Sequence, residues 1–270
     1  MPNYELLKVA RDGPVAVCTI LNPPQNFMNG RMVQEFLQLA DEVEADDAVR
    51  VLVLTGGVDG IFITHYDVSE LAAVSAQLQQ LESFRPEELH ATHQAFNRFQ
   101  SLPKPVIAAI NGIATGGGCE LALACDFRFM ARAGFIGLFE VLVGILPGAG
   151  GTQRMARLLG TAKALEMILL SKLVTADEAE AIGLIHKAFD PQDLMPSVMA
   201  FARTLAERPP VSVAQVKKCI HEGVQLPLLQ GLKLEQDCFW ETMRSPDALR
   251  LMTDYVEGRY QPLEQAGGTP

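Results

Sequence analysis

The sequence has few of the features that mark secreted, membrane-spanning or nucleic-acid-binding proteins. Its five cysteines contain no C-x-x-C pair, and an odd number of thiols within apolar runs is typical of reduced, buried cysteines. No apolar run approaches the ~20 residues that cross a bilayer. The N-terminus has neither the basic region nor the apolar region of a secretory signal. We therefore expect a cytoplasmic protein without a membrane partner.

Basic residues are also in the minority. The 270 residues include 22 Lys and Arg against 32 Asp and Glu, which gives a formal net charge of -10. A protein with this charge repels polyanions, which argues against general binding to nucleic acid or to anionic membranes. Hydrophobic residues make up 49% of the chain, which is ample for a packed core. The chain is therefore long enough to be an enzyme by itself.

Several cofactor and catalytic signatures are missing. Neither glycine cluster, at 116–118 or at 148–151, follows the G-x-x-x-x-G-K-[ST] or G-x-G-x-x-G spacing, so neither predicts a nucleoside triphosphate or dinucleotide site. The chain contains no G-x-S-x-G motif for a serine nucleophile. His90 and His93 are three residues apart, but no third ligand has suitable spacing, so we predict no metal site.

Short β-rich runs alternate with helical patterns in the first half of the chain, which favours an α/β core. The predicted strands are 15–21, 49–55, 106–110, 127–131 and 135–137. The predicted helices begin near residues 32, 67, 86, 117, 152, 175 and 246. From about residue 150 to 160 onward the pattern becomes helical, which predicts a core subdomain followed by a helical one.

An isolated carboxylate stands beside each glycine cluster. Residues 116–118 join a predicted strand to a helix, and the free N–H groups at a helix N-terminus favour a phosphate or an oxyanion. Glu120 lies within that apolar helix start, and Glu140 is surrounded by aliphatic residues. Burial and mutual repulsion would raise their pKa values and move them apart, which suits acid and base catalysis. The alternative is that both carboxylates form structural salt bridges.

Two long segments form distinctive motifs. The first reads K-P-V-I-A-A-I-N-G-I-A-T-G-G-G-C-E-L-A-L-A-C-D over 104–126. The second reads G-I-L-P-G-A-G-G-T-Q-R over 144–154 and follows Glu140. Both closely resemble motifs of the crotonase superfamily of enoyl-CoA hydratases and isomerases. Weaker matches at 21–29 and 175–184 extend the resemblance over nearly the whole chain.

The resemblance implies an α/β fold, with a crotonase-like spiral of ββα turns over residues 1–200. A C-terminal helical trimerisation region would follow over residues 201–270, within a homotrimer or a dimer of trimers. The implied substrate is an acyl-CoA thioester, and the implied reaction is syn addition of water to a trans-2-enoyl-CoA. No cofactor is implied, because coenzyme A is part of the substrate.

Residue roles follow from the same resemblance. Glu120 would hold and deprotonate the water, and Glu140 would exchange the proton at Cα. The backbone N–H groups of Tyr66 and Gly117 would form the oxyanion hole for the thioester enolate. Further substrate contacts would come from His65, Asp67, Gly116 and Arg259.

The chain departs from the family in the first oxyanion segment. The family pattern F-x-A-G-A-D reads F-I-T-H-Y-D over 62–67, so His65 and Tyr66 replace glycine and alanine. The backbone donor persists, since every residue except proline has an N–H. The two side chains should narrow the acyl pocket or add a hydrogen-bonding group to it. The other interpretation is that residues 62–67 form a surface loop whose polar side chains have no function. Two alternative functions stay open: another crotonase reaction that uses His65 or Tyr66, such as isomerisation, C–C hydrolysis or a lyase step, or non-catalytic acyl-CoA binding.

Overall fold

The computed structural model describes residues 4–262, which contain ten strands and eleven α-helices. The strands are β1 (Leu7–Asp12), β2 (Val15–Ile20), β3 (Val51–Gly56), β4 (Ile61–Ile63), β5 (Val106–Ile110), β6 (Ile113–Thr115), β7 (Phe127–Ala131), β8 (Phe135–Gly137), β9 (Val174–Thr175) and β10 (Lys187–Phe189). The helices are α1 (Gly30–Ala45), α2 (Val68–Leu78), α3 (Ala91–Ser101), α4 (Gly117–Ala124), α5 (Gly151–Leu159), α6 (Thr161–Leu169), α7 (Ala176–Ala181), α8 (Pro191–Ala206), α9 (Pro210–Gly223), α10 (Leu228–Met243) and α11 (Pro246–Val256). A short 3₁₀ helix follows β8 at Glu140–Val143.

The chain alternates between two sheets. The larger sheet has the strand order β1-β2-β3-β5-β7-β10 and is parallel except where β1 meets β2. The smaller sheet has the order β4-β6-β8-β9. Three times in succession, one strand joins the large sheet, the next joins the small sheet, and helix follows. This repetition confirms the predicted α/β spiral of ββα turns.

The larger sheet is buried on both faces. Val51 and Val53 of β3 pack in one cluster with Leu194 of α8, whereas Leu52 of β3 packs in a second cluster with Phe36 of α1. Side chains of a strand alternate between the two faces, and helices cover both, so the central strands read as continuous aliphatic runs. This explains why β5 and β7 lie where the sequence predicts them.

Beyond residue 150 the described chain is mostly helical, as predicted, but two short strands interrupt the helices. β9 adds to the small sheet antiparallel to β8, and β10 adds to the large sheet parallel to β7. These strands have two and three residues. Such short runs carry no readable period of their own, and pairing with β7 and β8 decides their conformation.

Contacts divide the chain into two compact units, Met1–Ala206 and Glu207–Pro270. The first contains both sheets, and the second contains α9, α10 and α11. The boundary expected after residue 200 lies within α8, whose Leu194, Val198 and Ala202 pack against the larger sheet. Trimerisation through the second unit stays a prediction.

Two further features concern the thiols and the helices. None of the five cysteines, all within residues 4–262, forms a disulfide, and four of them are buried. No helix of the described chain has both the length and the apolar composition to cross a membrane.

Candidate active site

One backbone donor of the site lies on the loop between β4 and α2. Met28 forms a parallel bridge to Tyr66: the Met28 N–H donates to the His65 carbonyl at 2.9 Å, and the Asp67 N–H donates to the Met28 carbonyl at 2.7 Å. Backbone groups of successive residues in extended chain point to opposite sides. The N–H of Tyr66 therefore points away from Met28 and is left available to another acceptor.

The second donor is at the start of α4. Gly117 is the first residue of this helix, so its N–H has no acceptor within the helix. A Cβ placed on Gly117 would lie 3.7 Å from the Tyr66 nitrogen, which makes the two donors neighbours. Neither N–H donates to another backbone group in the described part of the chain. Two adjacent free N–H groups at a helix N-terminus can stabilise an oxyanion.

Gly116 permits this approach of helix and loop. Its φ is +52° and its ψ is -125°, a conformation that a residue with a Cβ rarely adopts. A Cβ on Gly116 would also lie only 3.2 Å from the Cβ of His65. The glycine cluster at 116–118 is thus needed for the backbone geometry of the site, whatever contact Gly116 makes with a substrate.

Glu120 lies in the first turn of α4 and is buried. Its Oε1 accepts hydrogen bonds from the N–H groups of Ala149 at 2.7 Å and Gly151 at 2.8 Å. Burial, reinforced by the charge of Glu140, raises the pKa of Glu120 to about 7. The two hydrogen bonds from backbone N–H groups and the charge of Arg154 lower this pKa but do not outweigh burial. Near neutral pH this carboxyl can therefore take up or release a proton.

Glu140 is the first residue of the 3₁₀ helix after β8 and is half-buried. Burial raises its pKa above the usual range of a glutamate. Its Oε2 is buried and has no hydrogen-bond partner in residues 4–262, and its Oε1 lies 3.5 Å from the point where a Cβ on Gly116 would be. Because an unpaired buried carboxylate oxygen costs free energy, this arrangement is typical of a functional group.

Together these groups favour proton transfer at a carbon next to a polarised carbonyl. Glu120 is bound by N–H groups rather than by a cation, and Glu140 has an unpartnered oxygen in the described chain. The structure does not support the alternative that both carboxylates are structural salt bridges. Two carboxyl groups with raised pKa values beside two oxyanion donors can move protons while negative charge forms on oxygen.

His65 forms part of the wall of the site. Its ring stacks on Phe27 at 4.5 Å between centroids and meets Phe139, the neighbour of Glu140, edge-on at 5.6 Å. Its Nδ1 lies 2.7 Å from the Tyr66 carbonyl oxygen. A carbonyl only accepts hydrogen bonds, so Nδ1 is the donor. His65 is thus a half-buried wall residue, not a freely solvated loop side chain.

Two predicted substrate-binding residues have other partners. Asp67 caps α2, where its Oδ1 accepts from the N–H of Ser69 at 2.8 Å and from its Oγ at 2.6 Å; these bonds lower the pKa of Asp67. Arg259, in the second unit, pairs with Asp254 at 2.6 Å and with Glu257. A substrate contact of Asp67 or Arg259 stays a prediction.

Sequence reasoning missed the residues that hold Glu120. The N–H groups of Ala149 and Gly151 come from the second glycine cluster, for which the sequence predicted no contact with Glu120. The carbonyl of Gly148 accepts from Nε2 of His90 at 2.8 Å, which ties the cluster to α3. His90 therefore has a structural partner, and no group of three His, Cys, Asp or Glu residues suited to a metal occurs within residues 4–262.

Two glycines of the loop that binds Glu120, Gly148 and Gly151, allow a test of how tightly this loop packs. A Cβ on Gly151 would lie 2.8 Å from Leu138 Cδ1 and 3.0 Å from Glu120 Oε1, whereas the nearest atom to a Cβ on Gly148 is 3.8 Å away. We expect Gly151→Ala to lower the free energy of unfolding by about 1–3 kcal/mol through overpacking. The substitution should also raise the pKa of Glu120 further, since the hydrogen bonds from the N–H groups of Ala149 and Gly151 to its carboxylate would lengthen.

Gly148→Ala is the matched control and should leave both quantities near their wild-type values. Thermal or urea unfolding and NMR titration of Glu120 measure the two effects. Equal stability of the two variants would contradict the tight packing around Gly151.

Comparison with known proteins agrees with this geometry. A sequence model described as Enoyl-CoA hydratase/isomerase matches residues 10–266. The chain is 36% identical over 250 residues to a short-chain-enoyl-CoA hydratase of Clostridium acetobutylicum, covering 92% of this chain and 94% of that protein. It is 34% identical to a crotonyl-CoA hydratase of Syntrophomonas wolfei, covering 95% and 96%. A crystal structure of an enoyl-CoA hydratase from Bacillus anthracis superposes with a TM-score of 0.86 at 31% identity, covering 94% and 97%.

Proposed function

Because the chain belongs to the enoyl-CoA hydratase/isomerase family, we propose that Glu120 and Glu140 add water across the double bond of a trans-2-enoyl-CoA. The chain is an enzyme of the enoyl-CoA hydratase class, a hydro-lyase. The residue assignment rests on one observation. Two carboxyl groups with raised pKa values lie in the same site as two free backbone N–H donors.

The oxyanion hole comes first in the proposed mechanism. The thioester oxygen accepts from the N–H groups of Tyr66 and Gly117, which polarises the conjugated double bond and makes Cβ electrophilic. As water attacks Cβ, negative charge moves to that oxygen and the enolate forms. Fixed donors aimed at developing charge need no reorganisation during the reaction, which is why they lower the barrier.

The two carboxyl groups handle the protons. Glu120 accepts a proton from the attacking water, because neutral water is a poor nucleophile. Glu140 delivers a proton to Cα and so converts the enolate into the 3-hydroxyacyl product. Each transfer of this kind contributes roughly 10²- to 10⁴-fold. Both groups act from one face, which accounts for syn addition.

The reactive enzyme therefore carries one proton on the carboxyl pair. Burial and the charge of Glu140 raise the pKa of Glu120 to about 7, so in the free protein Glu120 takes up that proton as the pH falls toward neutral. The proposal therefore includes its transfer to Glu140 through the bound water before attack. Since the groups interact, their titration belongs to the pair.

The test is hydration of crotonyl-CoA and longer trans-2-enoyl-CoAs by the wild-type protein over a range of pH. We expect turnover with a bell-shaped kcat/KM: the rate rises with pH as the first carboxyl ionises, and falls with an apparent pKa near 7 as the pair loses its last proton. In ²H₂O, one deuterium should enter at Cα. A rate that keeps rising through pH 8 would contradict the one-proton state.

The two alternatives give different results. Isomerisation, C–C hydrolysis or a lyase step that uses the altered loop would survive Glu120→Gln but collapse in Tyr66→Phe. A non-catalytic binder would hold acyl-CoA tightly without turnover of any thioester in a panel. The buried Glu120 and the buried, unpartnered Oε2 of Glu140 argue against the binder, because an inactive site has no physical need for them.

Finer features of the proposal rest on the family resemblance. His65, Asp67, Gly116 and Arg259 are proposed to contact the acyl-CoA, and no cofactor beyond the substrate's coenzyme A is proposed. The protein is proposed to assemble as a homotrimer or a dimer of trimers. A cytoplasmic location is supported by thiols that are mostly buried and form no disulfide within residues 4–262.

A further inference from the structure

The side chain of Tyr66 is fixed at its hydroxyl. Tyr66 Oη donates to Oε2 of Glu70 at 2.9 Å, and the same carboxylate oxygen accepts from the N–H of Gly30 at 2.9 Å. Glu70 lies in the first turn of α2, and Gly30 is the first residue of α1. One carboxylate thus links the oxyanion loop to the starts of two helices.

The link to α1 gives the carboxylate a firm support. α2 buries none of its side chains and so has little packing of its own. α1 buries seven residues against the core: Met32, Val33, Glu35, Phe36, Leu39, Ala40 and Val43. The Gly30 N–H is one of the unsatisfied donors at a helix start, where the dipole also favours a negative charge. Glu70 therefore holds the phenol against a rigid element, even though Glu70 itself is exposed.

The phenol stays a donor at neutral pH. Burial raises the pKa of Tyr66 well above its usual value, and the hydrogen bond to Glu70 and its charge act in the same direction. The carbonyl of Tyr66 is held by Nδ1 of His65 at 2.7 Å. The residue is thus held at its hydroxyl and at its carbonyl, and its N–H is left without a backbone acceptor in the described chain.

We propose that Glu70 is a positioning residue for the oxyanion hole: by holding the Tyr66 phenol it fixes the direction of the Tyr66 N–H. This inference rests on the proposed function, in which that N–H binds the thioester oxygen. The ring and the N–H share one Cα, so a ring fixed at its far end restricts rotation of the backbone. Small errors in donor direction weaken charge stabilisation in the transition state more than they weaken substrate binding.

A double-mutant cycle tests the inference. We expect Glu70→Ala and Tyr66→Phe each to lower kcat for crotonyl-CoA hydration roughly three- to tenfold, with KM and the unfolding midpoint little changed. The double variant should lose no more than the larger single loss, because both changes break the same link. Glu70→Gln should recover part of the rate, since its amide oxygen can still accept.

The carbonyl stretching frequency of a bound enoyl thioester gives a readout independent of rate. We expect it to be less lowered in Glu70→Ala than in the wild type, because a misdirected N–H polarises the carbonyl less. Gln77→Ala, an exposed change on the same helix, is the matched control and should alter neither rate nor frequency.

Several outcomes would overturn the inference. These are unchanged kcat and carbonyl frequency in Glu70→Ala, fully additive losses in the double variant, or a loss of stability without a change in frequency. Failure of the proposed function is recognised separately. A wild type that does not hydrate enoyl-CoA contradicts the function itself, and a Glu120→Gln variant with full activity contradicts the role of Glu120. An active wild type, an inactive Glu120→Gln and an unaffected Glu70→Ala contradict only the positioning role.

Discussion

Replacement of Glu120 by glutamine is expected to lower kcat for hydration by about 10²- to 10⁴-fold, the range of one general acid–base contribution. The change is close to isosteric. Only Oε1 of Glu120 accepts from Ala149 and Gly151, so the amide oxygen of glutamine can keep both hydrogen bonds. The loss would therefore report proton transfer rather than collapse of the loop. The residual activity should also lack the alkaline limb near pH 7, because the group that titrates there is gone.

Although Glu120→Gln should lose activity, its free energy of unfolding should rise above that of the wild type at alkaline pH. The pKa of Glu120 is about 7 in the folded protein against the ordinary 4.5 of a glutamate in an unfolded chain, so between these values the folded state binds the proton and the unfolded state does not. The free energy of unfolding then falls as pH rises through this window and stays lower above it, by about 3 kcal/mol at most. Glu120→Gln escapes this cost and should be more stable than the wild type at pH 8, with little difference at pH 4.

Steady-state kinetics and urea unfolding at pH 4 and pH 8 measure both effects. Glu166→Gln is the matched control: Glu166 is partly exposed and pairs with Lys163 at 2.7 Å and Lys172 at 3.2 Å. Surface pairs add little to stability, and Glu166 has no part in the proposed proton transfers, so its stability and activity should both stay near wild type. Wild-type kcat in Glu120→Gln would remove Glu120 from the proposed chemistry.

Replacement of Glu140 by glutamine is expected to lower kcat about as much as Glu120→Gln does, by about 10²- to 10⁴-fold, but for a different reason. Glutamine cannot deliver the proton to Cα, so the enolate would revert to substrate instead of forming product. Exchange of the Cα proton of the 3-hydroxyacyl-CoA with ²H₂O should fall in parallel with hydration. The substitution adds no volume, and Oε2 has no hydrogen-bond partner to lose in the described chain.

A second effect of Glu140→Gln is on its neighbour. The negative charge of Glu140 is one of the causes that raise the pKa of Glu120, so its removal should lower the pKa of Glu120, by NMR titration. An unchanged pKa would show that the two groups are too far apart to act as a pair. Retained exchange at Cα together with lost hydration would assign the proton delivery to another group.

Local sequence patterns predicted much of the fold. β5, β7 and β8 lie at the predicted residues. The pattern is clearest in β5, where the continuous aliphatic run V-I-A-A-I between turns is typical of a strand buried on both faces. The helix starts at Thr175 and Ser245 were also readable, since a capping residue acts within its own turn. β1 was not predicted: its outward side chains are partly exposed and it is fixed by antiparallel pairing with β2.

The family model and the curated relatives confirmed the family resemblance and the hydratase class. The sequence could predict both because they rest on long motifs with unusual spacing. Within the site, the sequence identified Glu120 and Glu140 as isolated carboxylates in apolar surroundings, and both have raised pKa values. It could not show that the Ala149 and Gly151 N–H groups bind Glu120. Those bonds join residues 29 and 31 positions apart, and no local pattern encodes such a distance.

By itself, then, the sequence determined the α/β class, the glycine-rich helix start at Gly117, the two carboxyl groups and the family. These depend on residue type and on spacing within a few turns of chain. The tertiary structure alone decided that burial raises the pKa of Glu120 to about 7, how α4 meets the loop of Tyr66, and that Glu70 ties that loop to α1. Burial, charge and hydrogen bonding at these points depend on segments far apart in the sequence, such as Gly30 and Glu70 at a separation of 40 residues, which only the folded chain brings together.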